Sequence, residues 1–333
     1  MQIHEKYNFT PFATDFGFCL DNNGLEYVVA VLKATYRFDS QGRVSVPERT
    51  DMCAVLLQDE YFDQPDNSSL KYPSDVVHFK EGTDLIINGH AYGRHRKVVE
   101  AGFRLGPVEK IISVCGDRQW DSVLGMDTVL GPASFDRVAL TYENAFGGSF
   151  VHEKFGLCRN PFNPVGKGFG SSKTVQDRLP NLEYPRQGIR DLKEPPPASL
   201  GAVPGWWRQR SQYAGTFDQA WFDNRRPLLP LDFDHRFYNA VAGDQIHRPK
   251  LLGGESLTLV NLHPDKEQLK ITIPASRFEA TFRIKERTET IPMEIDTLVV
   301  EPDENRFFVS HRSAVVIGND IKFLKSIHFD QVG

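Results

Sequence analysis

LEYVVAVLKATYRF, running from Leu25 to Phe38, is rich in β-branched and aromatic residues and holds no helix breaker. Val28, Ala30, Leu32, Ala34, Tyr36 and Phe38 make one alternating set, wholly apolar or aromatic. Val29, Val31, Lys33, Thr35 and Arg37 make the other. A period of two is that of a strand with one face in the core, because successive side chains point to opposite faces. DSQG then supplies turn residues, and RVSV returns as a partner strand.

The same texture recurs outward from this stretch. CAVLLQ at Cys53, DLIINGHAY at Asp84, KVVEAGFRL at Lys97 and EKIISVCG at Glu109 read as short strands. The last third adds SLTLVNL, LKITI, FEATFRI, IPMEIDTLVV and RFFVSHR, with EPDEN at Glu301 as a turn. No long stretch carries an apolar stripe at helical spacing. The expected fold is therefore mainly β, an antiparallel sandwich or barrel-like scaffold with a few short helices.

The middle differs. It collects many of the chain's 26 glycines and 21 prolines, including Pro195-Pro196-Pro197. It also holds Trp206, Trp207, Tyr213, Phe217, Trp221, Phe222, Phe233, Phe237 and Tyr238. Ordering backbone costs roughly 1–2 kcal/mol per residue, and one buried aromatic of ~200 Å² returns at most about 5 kcal/mol. The cluster can hold an irregular segment in place, so an ordered Gly/Pro/aromatic-rich coil layer is expected, with a flexible piece from Ile189 to Ser199. The chain divides into a β region over 1–142, the irregular layer over 143–235, and a second β region over 236–333 packed with the first as one unit. Asp232 or Asp234 is placed to cap a short helix over HRFYNAVA.

Composition narrows the function classes. The 333 residues carry a net charge of −5, which argues against a nucleic-acid partner, since such proteins show a basic patch or stripe. The start lacks a signal peptide's basic and apolar regions. VVAVL is far shorter than the ~20 residues that span a bilayer. A cytoplasmic protein with no membrane partner is expected. Cys19, Cys53, Cys115 and Cys158 form no C-x-x-C pair, the pattern of reduced thiols rather than zinc or redox chemistry.

RNPFNPVGKGFG, Arg159 to Gly170, invites a phosphate-loop reading and fails it. The Walker spacing puts Pro161 where glycine is required and Gly168 where a hydroxyl is required. The stretch reads instead as a shaped loop. Asn160-Pro161 and Asn163-Pro164 start turns, Gly166, Gly168 and Gly170 allow unusual backbone angles, and Lys167 is a solvated or partner-facing charge. HEKFG at His152 lacks the second histidine of a zinc-protease helix, and SSLK at Ser68 lacks its companion motifs. His90, His95, Asp232, Asp234 and His235 read as surface or capping residues. No catalytic residue, metal or cofactor is expected. A glycan-active β-sandwich enzyme, which needs two carboxylates across a cleft, is the enzymatic alternative.

Six phrases fit no enzyme motif: GDRQW at Gly116, TYENAFGG at Thr141, NPVGKGF at Asn163, LPNLEYP at Leu179, AGTFDQAW at Ala214 and LPLDFDHRF at Leu229. Their order and spacing resemble the bacterial family catalogued as domain of unknown function 2169, found among type VI secretion accessory proteins. The resemblance runs from about Phe12 to Arg312 and takes in VVAVLKATYRF and DTLVVEPDENRF. Asn144 departs from it, where arginine is expected before AFGG, so a role needing charge there does not carry over. The resemblance implies no catalytic residues. It implies a cytosolic adaptor or chaperone that helps load a toxic effector, or its PAAR-type tip and VgrG-type spike, onto the secretion apparatus. A structural component travelling with the spike is the other alternative.

Tryptophan and arginine are enriched at interface centres. WWRQR and WFDNRR make Trp206, Trp207, Arg208, Arg210, Arg225 and Arg226 the partner-binding candidates. Asn163, Pro164, Gly166 and Gly168 are expected to shape the loop, and Trp120 and Trp221 to lie in the core. Adjacent side chains in an extended segment point opposite ways, so one of Trp206 and Trp207 is expected to be buried and the other to face outward.

Overall fold

The computed structural model describes residues 5–123, 126–170 and 178–332. Its architecture is mainly β, built from several sheets without barrel closure. The alternation of Leu25–Phe38 becomes strand Glu26–Phe38, near one side of a seven-stranded sheet. Across that sheet run Ile246–His247, Thr83–Ile87, Glu294–Glu301, Arg306–Val316, Glu26–Phe38 and Ala13–Leu20, with Val44–Ser45 paired beside Phe38. A five-stranded sheet holds Leu182–Glu183, Val108–Cys115, Val98–Leu105, Ser256–Val260 and Gln268–Thr272. A four-stranded one holds Glu5–Asn8, Leu324–Val332, Arg277–Ile284 and Arg287–Pro292.

Most pairings are antiparallel, as the short turns between strands require. Thr83–Ile87 against Glu294–Glu301 is parallel, and so is Glu5–Asn8 against Leu324–Val332. Parallel neighbours need a long connection; in both cases most of the chain lies between the partners.

One hydrophobic core joins the three sheets. Val28, Leu32 and Phe307 of the first pack in it with Phe103, Leu257 and Ile271 of the second and Phe282 and Phe329 of the third. The apolar set of the opening strand faces this core. Its other set is largely covered too, contrary to the half-buried expectation, and of that set only Arg37 is exposed. Val29 and Val31 are fully buried, and Lys33 and Thr35 nearly so. Segments from the irregular parts of the chain cover this second face: Leu70, Tyr72, Ala202 and Val241 pack on Ile86, Val299 and Phe308.

The polar side chains on the covered face are paired one by one. Lys33 Nζ lies 2.5 Å from Asp75. Lys80 Nζ bonds Asp84 at 2.6 Å and Thr297 at 2.9 Å, while Asn239 and the Ala240 N–H donate to the same Asp84 carboxylate. Arg312 faces Asp296. Buried charge is tolerated only when matched this way.

CAVLLQ is not a strand. The Cys53 N–H goes to Thr35 Oγ1 at 2.9 Å and the Leu56 N–H to Asp75 Oδ2 at 2.8 Å, so side chains replace a ladder. DLIINGHAY breaks at Asn88-Gly89 into Thr83–Ile87 and His90–Arg96. EPDEN is a 3-10 turn closed by Asn305 in the left-handed region at φ 52°. HRFYNAVA forms only one 3-10 turn, His235–Tyr238, capped by Asp234, whereas Asp232 accepts from Thr216 instead. Within the coil between Ile189 and Ser199, both ends are buried.

Candidate functional site

Four of the six phrases meet in one knot of loops. Asn163 is fully buried, and its amide donates to the Tyr142 carbonyl at 2.8 Å and the Phe146 carbonyl at 2.9 Å. Asn160 Oδ1 accepts from the Phe162 and Asn163 N–H groups, setting the turn into the loop. Asn181 receives the Lys167 ammonium at 2.8 Å and donates to the Cys115 carbonyl at 3.0 Å. Arg118 donates from Nε and Nη2 to the Pro180 carbonyl and pairs with Glu183. Asn144 supplies no charge; its amide donates to the Ala139 carbonyl at 3.0 Å.

The loop glycines have separate reasons. A Cβ on Gly166 would sit 2.3 Å from Asn163 Nδ2 and 2.5 Å from the Ala145 carbonyl. Gly168 has φ +94°, a conformation side chains disfavour. Lys167 corrects the sequence reading: it lies in a short pairing with Phe146, bonds Asn181, and has its pKa lowered by burial. It is a structural cation rather than a solvated one. The other two phrases meet elsewhere, where Thr216 bonds Asp232 and the Asp234 N–H reaches the Tyr213 carbonyl.

WWRQR lies against the first knot. Trp207 is fully buried, edge-on to Tyr142 at 5.2 Å between ring centroids. Trp206 is 44% exposed and rests against Trp207. Arg208 is exposed; its N–H bonds the Pro161 carbonyl at 2.8 Å, and its guanidinium lies 6.0 Å over the Phe162 ring. Arg210 is buried, donating to the Val203 carbonyl at 2.8 Å and twice to the Phe237 carbonyl, so it presents nothing at the surface.

In WFDNRR, Asp218 caps the short helix Gln219–Asn224. Trp221 is half-buried, not central to the core as expected. Its indole N–H reaches the Leu228 carbonyl at 2.8 Å, because the helix is too short to bury both ring faces. Arg225 donates to the Leu229 and Asn22 carbonyls, leaving Arg226, stacked on the exposed Phe222, as the outward cation. Trp120 is likewise half-buried, at the edge of a small cluster of Phe146, Leu179 and Ile189.

An open cleft of about 650 Å³ results, lined by Trp206, Arg208, Arg159, Pro161 and Pro164 among others. Its wall carries two arginines and no acid, and among the described residues neither arginine has an ion-pair partner. Sequence reasoning missed the adjoining hairpin, Ser149–His152 with Gly156–Arg159. Val151 and Leu157 are cross-strand partners on its exposed face, 77% and 58% exposed, and that face leads to Arg159. The signal is present in FVHEKFGL, where apolar residues flank a polar turn.

His90 and Tyr92 bond Asp303, and His95 pairs with Asp136. Among the described residues no three His, Cys, Asp or Glu side chains come together to hold a metal. All four cysteines are free, and burial pushes the Cys19 and Cys115 thiols up to about 11. Among the described residues no helix is long and apolar enough to cross a membrane.

Over residues 23–312 the chain matches the family described as "Uncharacterized protein conserved in bacteria (DUF2169)". That is most of its length, and the chain belongs to this family. No curated protein and no solved structure matches it.

Proposed function

We propose that this DUF2169 protein is a non-enzymatic adaptor or chaperone acting in the bacterial cytoplasm. It binds a type VI secretion effector and helps load it onto the PAAR-type tip or VgrG-type spike. The Trp206 cleft carries the reading. A rigidly backed, exposed tryptophan flanked by two arginines that have no acidic partner among the described residues has the composition of an interface centre. The apolar hairpin face beside it extends the contact area, and a cationic wall favours a partner surface bearing acids.

The experiment is affinity co-purification from a producing strain with an active type VI secretion system, using wild type and a Trp206→Ala/Arg208→Glu variant and identifying any effector or spike protein recovered. Stoichiometric recovery by the wild type and loss by a folded variant are expected. Recovery of the protein alone, with normal effector secretion after its deletion, overturns the proposal. Hydrolysis of a glycan by the purified protein favours the enzyme, and its appearance in secreted fractions favours the travelling component.

A further inference from the structure

A second cavity, of about 360 Å³, shares no lining residue with the Trp206 cleft. It opens where the chain passes from the four-stranded sheet at Pro292 into the seven-stranded sheet at Glu294, and where strand Arg306–Val316 loses its neighbour beyond Glu294. Three of its wall residues hold buried polar atoms without a protein partner: Arg312 Nε, Ser313 Oγ and His78 Nδ1. Arg312 is only 6% exposed. Its Nη2 donates to Asp296 at 3.2 Å, and its Nη1 lies 2.9 Å from the same carboxylate without hydrogen-bond geometry. A buried polar atom left without a partner is destabilising, and Arg312 Nε can only donate while Ser313 Oγ is free to, so the cavity calls for an acceptor.

Charge on the wall and directly behind it is matched: Lys80 pairs with Asp84, Arg312 with Asp296 and Lys250 with Glu294. Glu294 is 66% exposed at the rim, so its pairing is strongly screened and it is the carboxylate that an incoming acid can replace at Lys250. Tyr27, Phe79, Ile291 and Pro292 add apolar surface beside the donors.

We infer that this cavity binds a single carboxylate carried on a short apolar stem. The oxygens accept from Arg312 Nε, Ser313 Oγ and Lys250, and the stem lies against Phe79 and Ile291. A free organic acid and the C-terminus of a polypeptide share this chemistry.

Calorimetric titration of the full chain separates the two sources, with 3-phenylpropionate and acetyl-Gly-Gly-Phe as probes and their amides as controls. Binding of at least one acid and of neither amide is expected. Lys250→Gln should weaken it by about tenfold, the loss of one charge-assisted hydrogen bond, and Ser313→Ala by a smaller factor. Both variants should keep the wild-type circular dichroism spectrum. Binding by the free acid alone assigns a small molecule, and binding by the peptide acid alone assigns a protein terminus. No binding by either acid, equal binding by the amides, or unchanged affinity in both variants overturns the inference.

Discussion

The covered second face of the seven-stranded sheet and the knot of loops around Asn163 both bury polar groups, by different means. On the sheet, backbone groups are satisfied by ladders, and the buried charged side chains are matched by charges brought over them, as Asp75 is brought to Lys33. In the knot the ladders are only two residues long, and side chains such as Asn163, Asn181 and Arg118 supply the donors that its buried carbonyls need. Damage on the sheet should therefore strand a charge, whereas damage in the knot should release a loop.

The largest effect is expected on the sheet. Lys33→Met leaves the Asp75 carboxylate buried and unpaired, and should lower unfolding free energy by about 3–5 kcal/mol in urea titration. Adding Asp75→Leu should recover much of that loss. A single-variant loss below about 1 kcal/mol would show this face to be wetter than its burial suggests. Trp207→Ala, at the boundary with the knot, should cost a similar 3–5 kcal/mol or so, because a large buried ring leaves a cavity against Tyr142.

Acid should distinguish the regions next. Burial against Phe278 lowers the His311 pKa to about 3, so the folded protein keeps this ring neutral. The unfolded chain takes up its proton near pH 6.5. That contribution is complete above pH 6.5 and is lost as pH falls toward 3, at about 1.4 kcal/mol per unit. His311→Leu should flatten this part of the stability–pH curve, and an unchanged slope would assign the acid sensitivity elsewhere.

Knot variants should cost less. Asn163→Ala takes a donor from the Phe146 carbonyl and from the Tyr142 carbonyl, the latter keeping the Ala145 N–H, and Gly168→Val forces a side chain onto a positive φ; each should cost about 1–3 kcal/mol. Local proteolysis at the loop should increase before global melting changes. Trp206→Ala should move stability least, within about 0.5 kcal/mol, while weakening effector binding by about 2 kcal/mol or more. Equal losses of stability from the two tryptophan variants would erase the distinction between them.

Much of the scaffold was legible. Alternation in VVAVLKATYRF and FEATFRI names strands because a pleated backbone imposes the period directly. CAVLLQ misled, since an apolar run looks alike whether its N–H groups meet a ladder or Thr35 and Asp75. The opposite orientations of Trp206 and Trp207 followed from local geometry, but which faced outward did not. Arg210 and Lys167 looked like surface cations because nothing near them in sequence reveals carbonyls supplied by Phe237 or an amide supplied by Asn181.

By itself the sequence determined the mainly β architecture, the core-facing set of the opening strand, and membership of a family marked by six ordered phrases. These rest on short-range periodicity and spacing. Only the tertiary structure decided that the strand's other set is buried too, that four phrases close into one knot, and that Arg159 stands beside Trp206. Those outcomes depend on contacts between segments far apart in the chain, which local pattern does not encode.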